Sequence, residues 1–307
     1  MQPIILHHYP MSPFAEKVRL ILGFKGLHWS SVHIPNIMPK PDLTALTGGY
    51  RRTPVMQIGA DIYCDTALIA EVIEERAPSP TLYPGGVADA SRILAQWADS
   101  TLFWTAIPFT LQPAGLAHIF ADTPPEAIKA FGDDRAVFRA NLPRMRSADA
   151  NAAFALYLER LEGTLGRQTF FFGSAPSIAD FSIYHCLWFV VRGGPVAKIL
   201  ESFRALEGWR ARMAAFGHGT HDKLDSGAAI GIAREAIPTE SVGNVDSHGL
   251  AIGDRVVAAA TDTGTDPIEG TLYGATKGRF SIAREDERAG RVVVHFPRLG
   301  FELRRAK

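Results

Sequence analysis

The first 84 residues alternate short apolar runs with a segment that carries one apolar face. Residues 3–9 and 27–34 are apolar runs of strand length. Between them, Ser12-Pro13 supplies the N-cap serine and first-turn proline that favour a helix start. The apolar face of this helix consists of Phe14, Val18, Ile21 and Leu22. The pattern therefore predicts a strand, a helix and a second strand.

A proline-broken loop over residues 35–49 separates these elements from a second set of signals. Residues 53–63 read as a hairpin that turns at Gly59. Asp65-Thr66 then caps a further helix. The buried face of that helix would hold Leu68, Ile69, Val72 and Ile73. The first 84 residues are thus predicted to form a small α/β unit.

Helical periodicity between proline and glycine breaks dominates residues 88–236. The predicted helices cover 88–105, 124–140, 148–166, 178–192 and 198–216, with a shorter amphipathic stretch at 228–236. Ser177 and Asp180 have the spacing of a capping box at the start of the fourth helix. This pattern predicts an all-helical bundle domain.

The pattern changes again after about residue 245, beyond a linker that contains Pro238, Gly243 and Asn244. Short strand-like runs separated by Gly and Asp clusters occur at 254–258, 268–272, 279–282, 291–296 and 300–303. Their regular spacing is typical of a small β-barrel or roll. The chain is therefore predicted to be an α+β multidomain protein, with domains at 1–84, 85–238 and 245–307.

Composition and charge narrow the possible function classes. Hydrophobic residues make up 47% of the 307, which excludes an intrinsically disordered chain. Lysine plus arginine and aspartate plus glutamate both total 32, so the basic excess typical of nucleic-acid and acidic-membrane binding is absent. Two cysteines make no disulfide framework, and residues 1–10 lack the features of a signal peptide. We expect a soluble cytoplasmic protein without nucleic-acid or membrane partners.

Ser12 is the first candidate for chemistry. A hydroxyl at a helix start lies where free backbone N–H groups and the positive end of the helix dipole favour an anion. It could donate a hydrogen bond to the thiolate of a bound ligand. The alternative is that Ser12 only caps the helix, because capping serines far outnumber catalytic ones.

Two further clusters could hold a zwitterionic peptide. In Arg52-Thr53-Pro54-Val55, a cis proline would turn the backbone of Val55 toward a ligand, and Arg52 would offer its donors to a carboxylate. In Asp65-Thr66, the threonine can hold a carboxylate while the aspartate accepts from an ammonium group. The alternatives are a strand-start proline with solvated arginines and an ordinary helix cap.

These clusters together resemble the glutathione transferase superfamily. The resemblance covers residues 1–84 as a thioredoxin-like glutathione-binding domain and, more loosely, 88–236 as the all-helical domain. Residues 81–84 look like the family's inter-domain link, and 173–181 look like its second-domain capping motif. The departure from the pattern is a threonine at position 66, where a serine is usual.

The resemblance implies a function and a set of site residues. Ser12 matches the serine-type residue that activates glutathione, which serves as co-substrate for attack on a small hydrophobic electrophile. The glutathione-binding residues implied are Phe14, Arg52, Thr53, Pro54, Val55, Asp65 and Thr66. Members of the family are commonly dimers, so a homodimer is implied as well.

The helical domain should supply the acceptor pocket. The candidates are Tyr9 as a wall of the pocket, together with Phe103, Trp104, Phe109 and His118. The alternative for each is ordinary core packing. His7-His8 and His185-Cys186 are too sparse for a metal site, so no metal is expected.

Two other functions compete with the transferase hypothesis. A non-catalytic binding protein on the same scaffold is suggested by the β-rich C-terminal region, which lies outside the usual two-domain plan. A thiol-disulfide enzyme would need a nucleophilic cysteine at position 12, where this chain has a serine that cannot form a mixed disulfide.

Overall fold

The computed structural model describes residues 2–142, 145–241, 243 and 249–306. Eleven α-helices and ten β-strands lie in these ranges. Asn244 of the predicted linker and the predicted domain boundary at residue 245 fall outside the described residues. Each described helix is too short or too polar to cross a bilayer.

The first region has the predicted order of elements with one addition. Its elements are β1 (Ile4–His8), α1 (Pro13–Phe24), β2 (His28–His33), α2 (Pro41–Thr47), β3 (Val55–Ile58), β4 (Asp61–Cys64) and α3 (Thr66–Arg76). Strand β1 pairs in parallel with β2 and antiparallel with β3, which forms the predicted hairpin with β4. The addition is α2, which lies inside the predicted loop and ends at Gly48 in the left-handed conformation.

The helical region has its predicted helices together with one that the sequence analysis did not predict, at Pro113–Ile119. It contains α4 (Ala88–Trp97), α5 (Phe103–Thr110), α6 (Pro113–Ile119), α7 (Pro125–Phe138), α8 (Ser147–Leu165), α9 (Ile178–Arg192) and α10 (Arg204–Ala214). A π-helical segment joins α4 to α5, and a 3₁₀ segment precedes α10. The capping box at the start of α9 is confirmed, since the Ser177 backbone N–H donates to Asp180 Oδ2 at 2.8 Å. The thioredoxin-like and helical domains are thus both present.

The C-terminal β-rich region is also confirmed, and it continues the first region's sheet. After β5 (Thr220–Lys223) and α11 (Ser226–Glu235), the strands are β6 (Arg255–Ala260), β7 (Ile268–Ala275), β8 (Arg279–Asp286), β9 (Gly290–Pro297) and β10 (Phe301–Arg305). The described strands form one ten-stranded sheet in the order β10-β6-β7-β8-β9-β4-β3-β1-β2-β5. Strands β6–β10 curl as the expected barrel or roll requires, because only three residues separate β10 from the end of β9, yet β10 lies four places from β9 in the sheet order. The rings of Phe296 in β9 and Phe301 in β10 accordingly lie 5.4 Å apart, and β9 pairs in parallel with β4.

Two hydrophobic cores lie on opposite faces of the first region's strands, and the second continues along the C-terminal strands. Side chains of β1 alternate between them, with Ile4 and Leu6 in the first core and Ile5 in the second. The first core packs α1 and α3 against the helical region. The second packs α2 and α11 against β3, β4 and the C-terminal strands. The division into three domains stays a prediction, but the first region and the C-terminal strands share both a sheet and a core.

Candidate functional site

Ser12 lies at the start of α1, as the sequence predicts. The residue is 2% exposed, and Ser12 Oγ accepts a hydrogen bond from the Ala15 backbone N–H at 3.2 Å. The turn before it is held by Arg19, whose guanidinium donates to the Pro10 carbonyl at 3.1 Å. Arg19 is in turn paired with Glu16 at 2.7 Å. The hydroxyl oxygen therefore caps the helix, and the hydroxyl proton is left to donate to a ligand at the helix terminus.

Tyr9 lies directly beside Ser12. The Ser12 backbone N–H donates to the Tyr9 carbonyl at 3.1 Å, and Tyr9 Oη accepts from Arg135 Nη2 of α7 at 3.3 Å. Burial raises the pKa of the Tyr9 phenol, although the charge of Arg135 opposes that shift. Tyr9 therefore stays protonated at neutral pH and keeps a proton to donate.

The Thr53–Pro54 peptide is cis, as the sequence analysis suggested. Val55, the first residue of β3, is fully buried and pairs with His7 of β1. Beside this turn, Lys40 Nζ donates to Thr53 Oγ1 at 3.1 Å. Burial lowers the pKa of Lys40 to about 8, with the Arg135 charge acting in the same direction. The ammonium group is thus still mostly charged at pH 7, close to its titration point.

Asp65 and Thr66 begin α3 in an unusual backbone conformation. Asp65 has a φ of 77°, which non-glycine residues rarely adopt, and Oδ1 accepts from the Ala67 N–H at 2.9 Å. Thr66 Oγ1 accepts from Lys17 Nζ at 3.2 Å. Because the lysine uses an acceptor position of the hydroxyl, the Thr66 proton remains available to a ligand oxygen.

Asp99 connects this corner to the helical region. It lies in the π-helical segment, where Oδ2 accepts from the fully buried Lys17 at 2.6 Å and Oδ1 accepts from His185 Nε2 at 2.9 Å. Burial alone would raise the pKa of Asp99, but Lys17 and His185 bring it below its usual range. The carboxylate stays ionised, so the charge of Lys17 is balanced under Thr66.

Sequence reasoning missed Lys17 and Asp99 as parts of the site. A signal for Lys17 was present, because it follows Phe14 by three residues and so lies on the apolar face of α1. Asp99 gives no comparable signal. Its position depends on how α4 and α9 pack against α1, which local spacing does not reveal.

Arg52 already has carboxylate and carbonyl partners within the chain. Its guanidinium forms an ion pair with Asp262 and donates two hydrogen bonds to the Thr263 carbonyl, at 2.7 and 3.0 Å. Asp65 Oδ2 lies 3.8 Å from Arg52 Nη1. Asp262 and Thr263 belong to residues 261–267, the β6–β7 loop. The sequence analysis assigned Arg52 to a ligand, and its present partner is this loop.

The β6–β7 loop also contacts the end of α7. The Gly264 N–H donates to the Phe138 carbonyl at 2.9 Å, and Asp266 lies 3.4 Å from Arg51. A Cβ added at Gly264 would lie 2.8 Å from the Phe138 ring, so the close approach requires glycine there. The loop thereby joins the first region to the helical region beside the site.

The predicted aromatic residues divide into two groups. The Phe14 ring packs against Phe103 at 4.7 Å between centroids and against His185 at 4.5 Å, and Trp104 packs on Phe103. These residues lie where α1 meets the helical region. Phe109 packs instead on Phe154 within the helical core, which is the core alternative named above, and His118 lies against Gly194 of the 3₁₀ segment. Among the described residues, no group of three or more metal-ligating side chains is arranged to hold a metal ion.

The groups at Ser12 supply free energy of the size that ionising a thiol requires. A thiol of pKa near 8.5 is only roughly 3% ionised at pH 7, and lowering its pKa by about two units requires roughly 2.7 kcal/mol. One hydrogen bond to a charged group supplies about 1.5–3 kcal/mol and a helix terminus about 0.3–1 kcal/mol. A thiolate at this helix start is energetically accessible with the groups present.

Comparison with known families gives two matches. Residues 6–81 match the family described as glutathione S-transferase, N-terminal domain, and residues 144–212 match glutathione S-transferase, C-terminal domain. A solved GST-like protein from Pseudomonas syringae is 43% identical, covers 100% of both chains and superposes with a TM-score of 0.82. A glutathione S-transferase from Rhodospirillum rubrum F11 is 20% identical, covers 69% of this chain and 88% of its own, and has a TM-score of 0.52, which shows a shared fold.

Two curated relatives match shorter segments. FtsZ-localized protein A of Caulobacter vibrioides is 32% identical over 100 residues, which is 31% of this chain and 43% of the relative. Glutathione S-transferase TCHQD of Arabidopsis thaliana is 31% identical over 119 residues, which is 37% of this chain and 41% of the relative. The matches thus span less than half the length of both curated relatives.

Proposed function

Because the chain belongs to the glutathione S-transferase superfamily, we propose that it binds glutathione and activates its thiol for attack on a small hydrophobic electrophile. Ser12 is the catalytic residue of this proposal. The observation that carries it is the buried Ser12 hydroxyl at the N-terminus of α1, the position where a thiolate gains both a hydrogen bond and the helix dipole.

The γ-glutamyl end of glutathione binds at the start of α3. Asp65 accepts a hydrogen bond from the ammonium group of glutathione. Burial raises the pKa of the Asp65 carboxyl, and a cationic ligand group beside it favours the charged form. Thr66 donates its free proton to the adjacent carboxylate, with Lys17 behind the hydroxyl oxygen. The backbone beside the cis Pro54 and the ammonium of Lys40 face the remainder of the tripeptide.

The electrophile binds against Tyr9, Phe103 and Trp104. Tyr9 is next to Ser12, and Phe103 packs on Phe14 two residues further along α1. The aromatic faces supply an apolar wall near the sulfur, and the Tyr9 hydroxyl supplies a second donor. As for other members of the family, the proposed assembly is a homodimer.

The test is a titration of the bound thiol followed by thiolate absorbance. In Ser12→Ala we expect glutathione to bind with a thiol pKa about two units higher than in the wild type. Ser12→Thr is the matched control, because it keeps a hydroxyl and an N-cap. A bound thiol whose pKa is the same in Ser12→Ala and the wild type removes Ser12 from the mechanism.

A non-catalytic binding role is the second candidate function. It is favoured by the similarity to FtsZ-localized protein A and by the engagement of Arg52 with residues of its own chain. In that case the wild-type protein leaves the bound thiol at its solution pKa. The same titration therefore separates the two functions.

A further inference from the structure

Asp262 is paired with the Arg52 guanidinium, the donor group that the proposed glutathione site would offer to a ligand carboxylate. Its carboxylate pairs with Arg52, and the neighbouring Thr263 carbonyl takes two more of the guanidinium's hydrogen bonds. We propose that Asp262 is a specificity-determining residue, which competes with the carboxylates of the thiol ligand for Arg52. This inference rests on the proposed function of the site.

The local charge supports competition. Arg52 contributes one positive charge, while Asp65 at 3.8 Å and Asp262 contribute two negative charges. A ligand carboxylate that approaches Arg52 is therefore repelled by two carboxylates. Displacing Asp262 opens a donor position on Nη2 and removes one of the two repelling groups, while the Thr263 carbonyl keeps its hydrogen bonds to the guanidinium. The aspartate side chain can turn toward solvent.

The backbone of the β6–β7 loop is fixed by its contacts, whereas the Asp262 side chain is free to rotate. Thr263 is 4% exposed, and Gly264 is tied to Phe138 by a backbone hydrogen bond. In contrast, the side chain of Asp262 is 44% exposed. An exposed carboxylate on a fixed backbone can rotate away without unfolding the loop, and the Arg52 side chain, 17% exposed, remains packed over the Phe301 ring.

The chemical consequence concerns the class of thiol that the site prefers. A thiol peptide with a free carboxylate at the end that reaches Arg52 must displace Asp262, and part of its binding free energy is lost. A thiol that is neutral at that end meets no such competition. Asp262 thus reduces the preference of the site for the free acid over a neutral analogue.

The experiment measures dissociation constants by isothermal titration with glutathione and with glutathione diethyl ester. The proteins are the full-length wild type, Asp262→Asn, Asp266→Asn, Arg52→Gln and the double variant Arg52→Gln/Asp262→Asn. In Asp262→Asn we expect glutathione to bind about tenfold more tightly and the diethyl ester to change less than about twofold. Asp266→Asn is the matched control, because Asp266 pairs with Arg51 and should leave glutathione affinity within about twofold.

The double variant isolates the mechanism. If Asp262 acts through Arg52, then Asp262→Asn gains nothing in the Arg52→Gln background. Equal gains in both backgrounds, or equal gains for glutathione and its diethyl ester, overturn the proposal. If glutathione binds to the wild type and Asp262→Asn leaves that affinity unchanged or lowers it, the role of Asp262 is overturned and the proposed function stays intact. Absence of glutathione binding in all five proteins overturns the proposed function together with this inference.

Discussion

Two of the places where the C-terminal region meets the first region differ in kind. At the strand seam, Asp61–Tyr63 of β4 pair with Val293–His295 of β9, and the Val293 N–H donates to the Ala60 carbonyl at 3.0 Å. Asp61 there accepts from His295 Nε2 at 2.8 Å inside the core. At the β6–β7 loop, Asp262 and Asp266 form ion pairs with Arg52 and Arg51 through partly exposed carboxylates, beside the hydrogen bonds from Arg52 to the Thr263 carbonyl.

The difference shows which contacts can exchange with a ligand. Backbone pairing next to a buried core cannot be given up without exposing unpaired N–H and C=O groups and apolar side chains. Ion pairs near water are worth little and can be replaced by another anion. The seam therefore carries stability, while the loop is suited to adjust the site.

The largest expected effect is a loss of folding stability from a substitution in the core beside the strand seam. Phe296 of β9 is fully buried against Phe280, Phe301 and Tyr50. Phe296→Ala should lower the free energy of unfolding by about 3–5 kcal/mol, because it leaves a cavity in the second core. Phe296→Leu, which fills much of the volume, should cost less. Urea unfolding followed by circular dichroism gives the values.

Tryptophan fluorescence tests whether the seam joins the regions into one cooperative unit. All five tryptophans lie between residues 29 and 209, so they report only on the first and helical regions. Phe296→Ala should shift the fluorescence midpoint as much as the circular dichroism midpoint. An unshifted fluorescence transition would mean that the C-terminal strands unfold alone, and the contrast between seam and loop would fail.

The second effect is the loss of the buried carboxylate at the seam. Asp61 also accepts from the Thr239 N–H at 2.9 Å and hydroxyl at 2.7 Å. Burial alone would raise the pKa of Asp61, but the hydrogen bonds from His295 and Thr239 bring it below the usual value. Asp61→Asn should cost about 1.5–3 kcal/mol of unfolding free energy at pH 7.

The pH dependence of that cost has a definite sign. Because the folded-state pKa of Asp61 is below its unfolded value of about 3.9, its contribution is fully present above about pH 4. It is lost as the pH falls through the folded-state pKa, so the wild type and Asp61→Asn should converge in acid. Asp89→Asn, whose side chain is 98% exposed, is the control and should match the wild type throughout. A gap that persists at low pH would contradict the assignment.

The third effect concerns ligand binding by Lys40, which lies beside Arg51 and Thr53 near the β6–β7 loop. Lys40 loses its charge near pH 8, where its lowered pKa lies. The affinity for S-methylglutathione, which has no thiol to titrate, should therefore fall several-fold between pH 7 and about pH 9. Lys40→Met should bind more weakly at pH 7 and show a smaller decline, which then comes from the ligand's own ammonium group alone. Wild-type and Lys40→Met profiles of the same shape would exclude Lys40 from ligand binding.

The smallest effect sharpens the contrast most directly. Asp262→Asn removes an ion pair whose carboxylate is 44% exposed, so its cost in unfolding free energy should stay below about 1 kcal/mol. Measured beside Asp61→Asn under the same conditions, it should be the milder change. A cost for Asp262→Asn equal to that of Asp61→Asn would show that the loop is as structural as the seam.

Local signals explain what could be predicted from the sequence. The start of α1 at Ser12-Pro13 and the capping box of α9 depend on residues within one helical turn. The alternating and apolar runs likewise predicted the strands of the first region and of the C-terminal region. Helix α2 was missed because the prolines around it indicate a loop, while its burial of Leu43 and Leu46 is a tertiary effect.

Contacts between distant segments explain what could not be predicted. The pairing of β9 with β4 leaves no mark on either strand, since any apolar strand suits such a position. Asp262 lies in a segment of Asp, Thr and Gly that reads only as a turn. Its place on Arg52 becomes apparent only when the sheet brings the loop to the site. Ser12, Pro54 and Thr66, in contrast, are recognisable because each stands at the start of a predicted element.

The position of β9 has a consequence for how the protein is made. Without β9, β4 would be the edge of the sheet, with a row of unpaired backbone groups open to other chains. On the ribosome, β4 emerges long before residues 290–297 exist, so the nascent chain carries this open edge until those residues have been synthesised. Products that end before residue 290 keep the edge and should self-associate, so β9 protects the sheet from pairing with other chains.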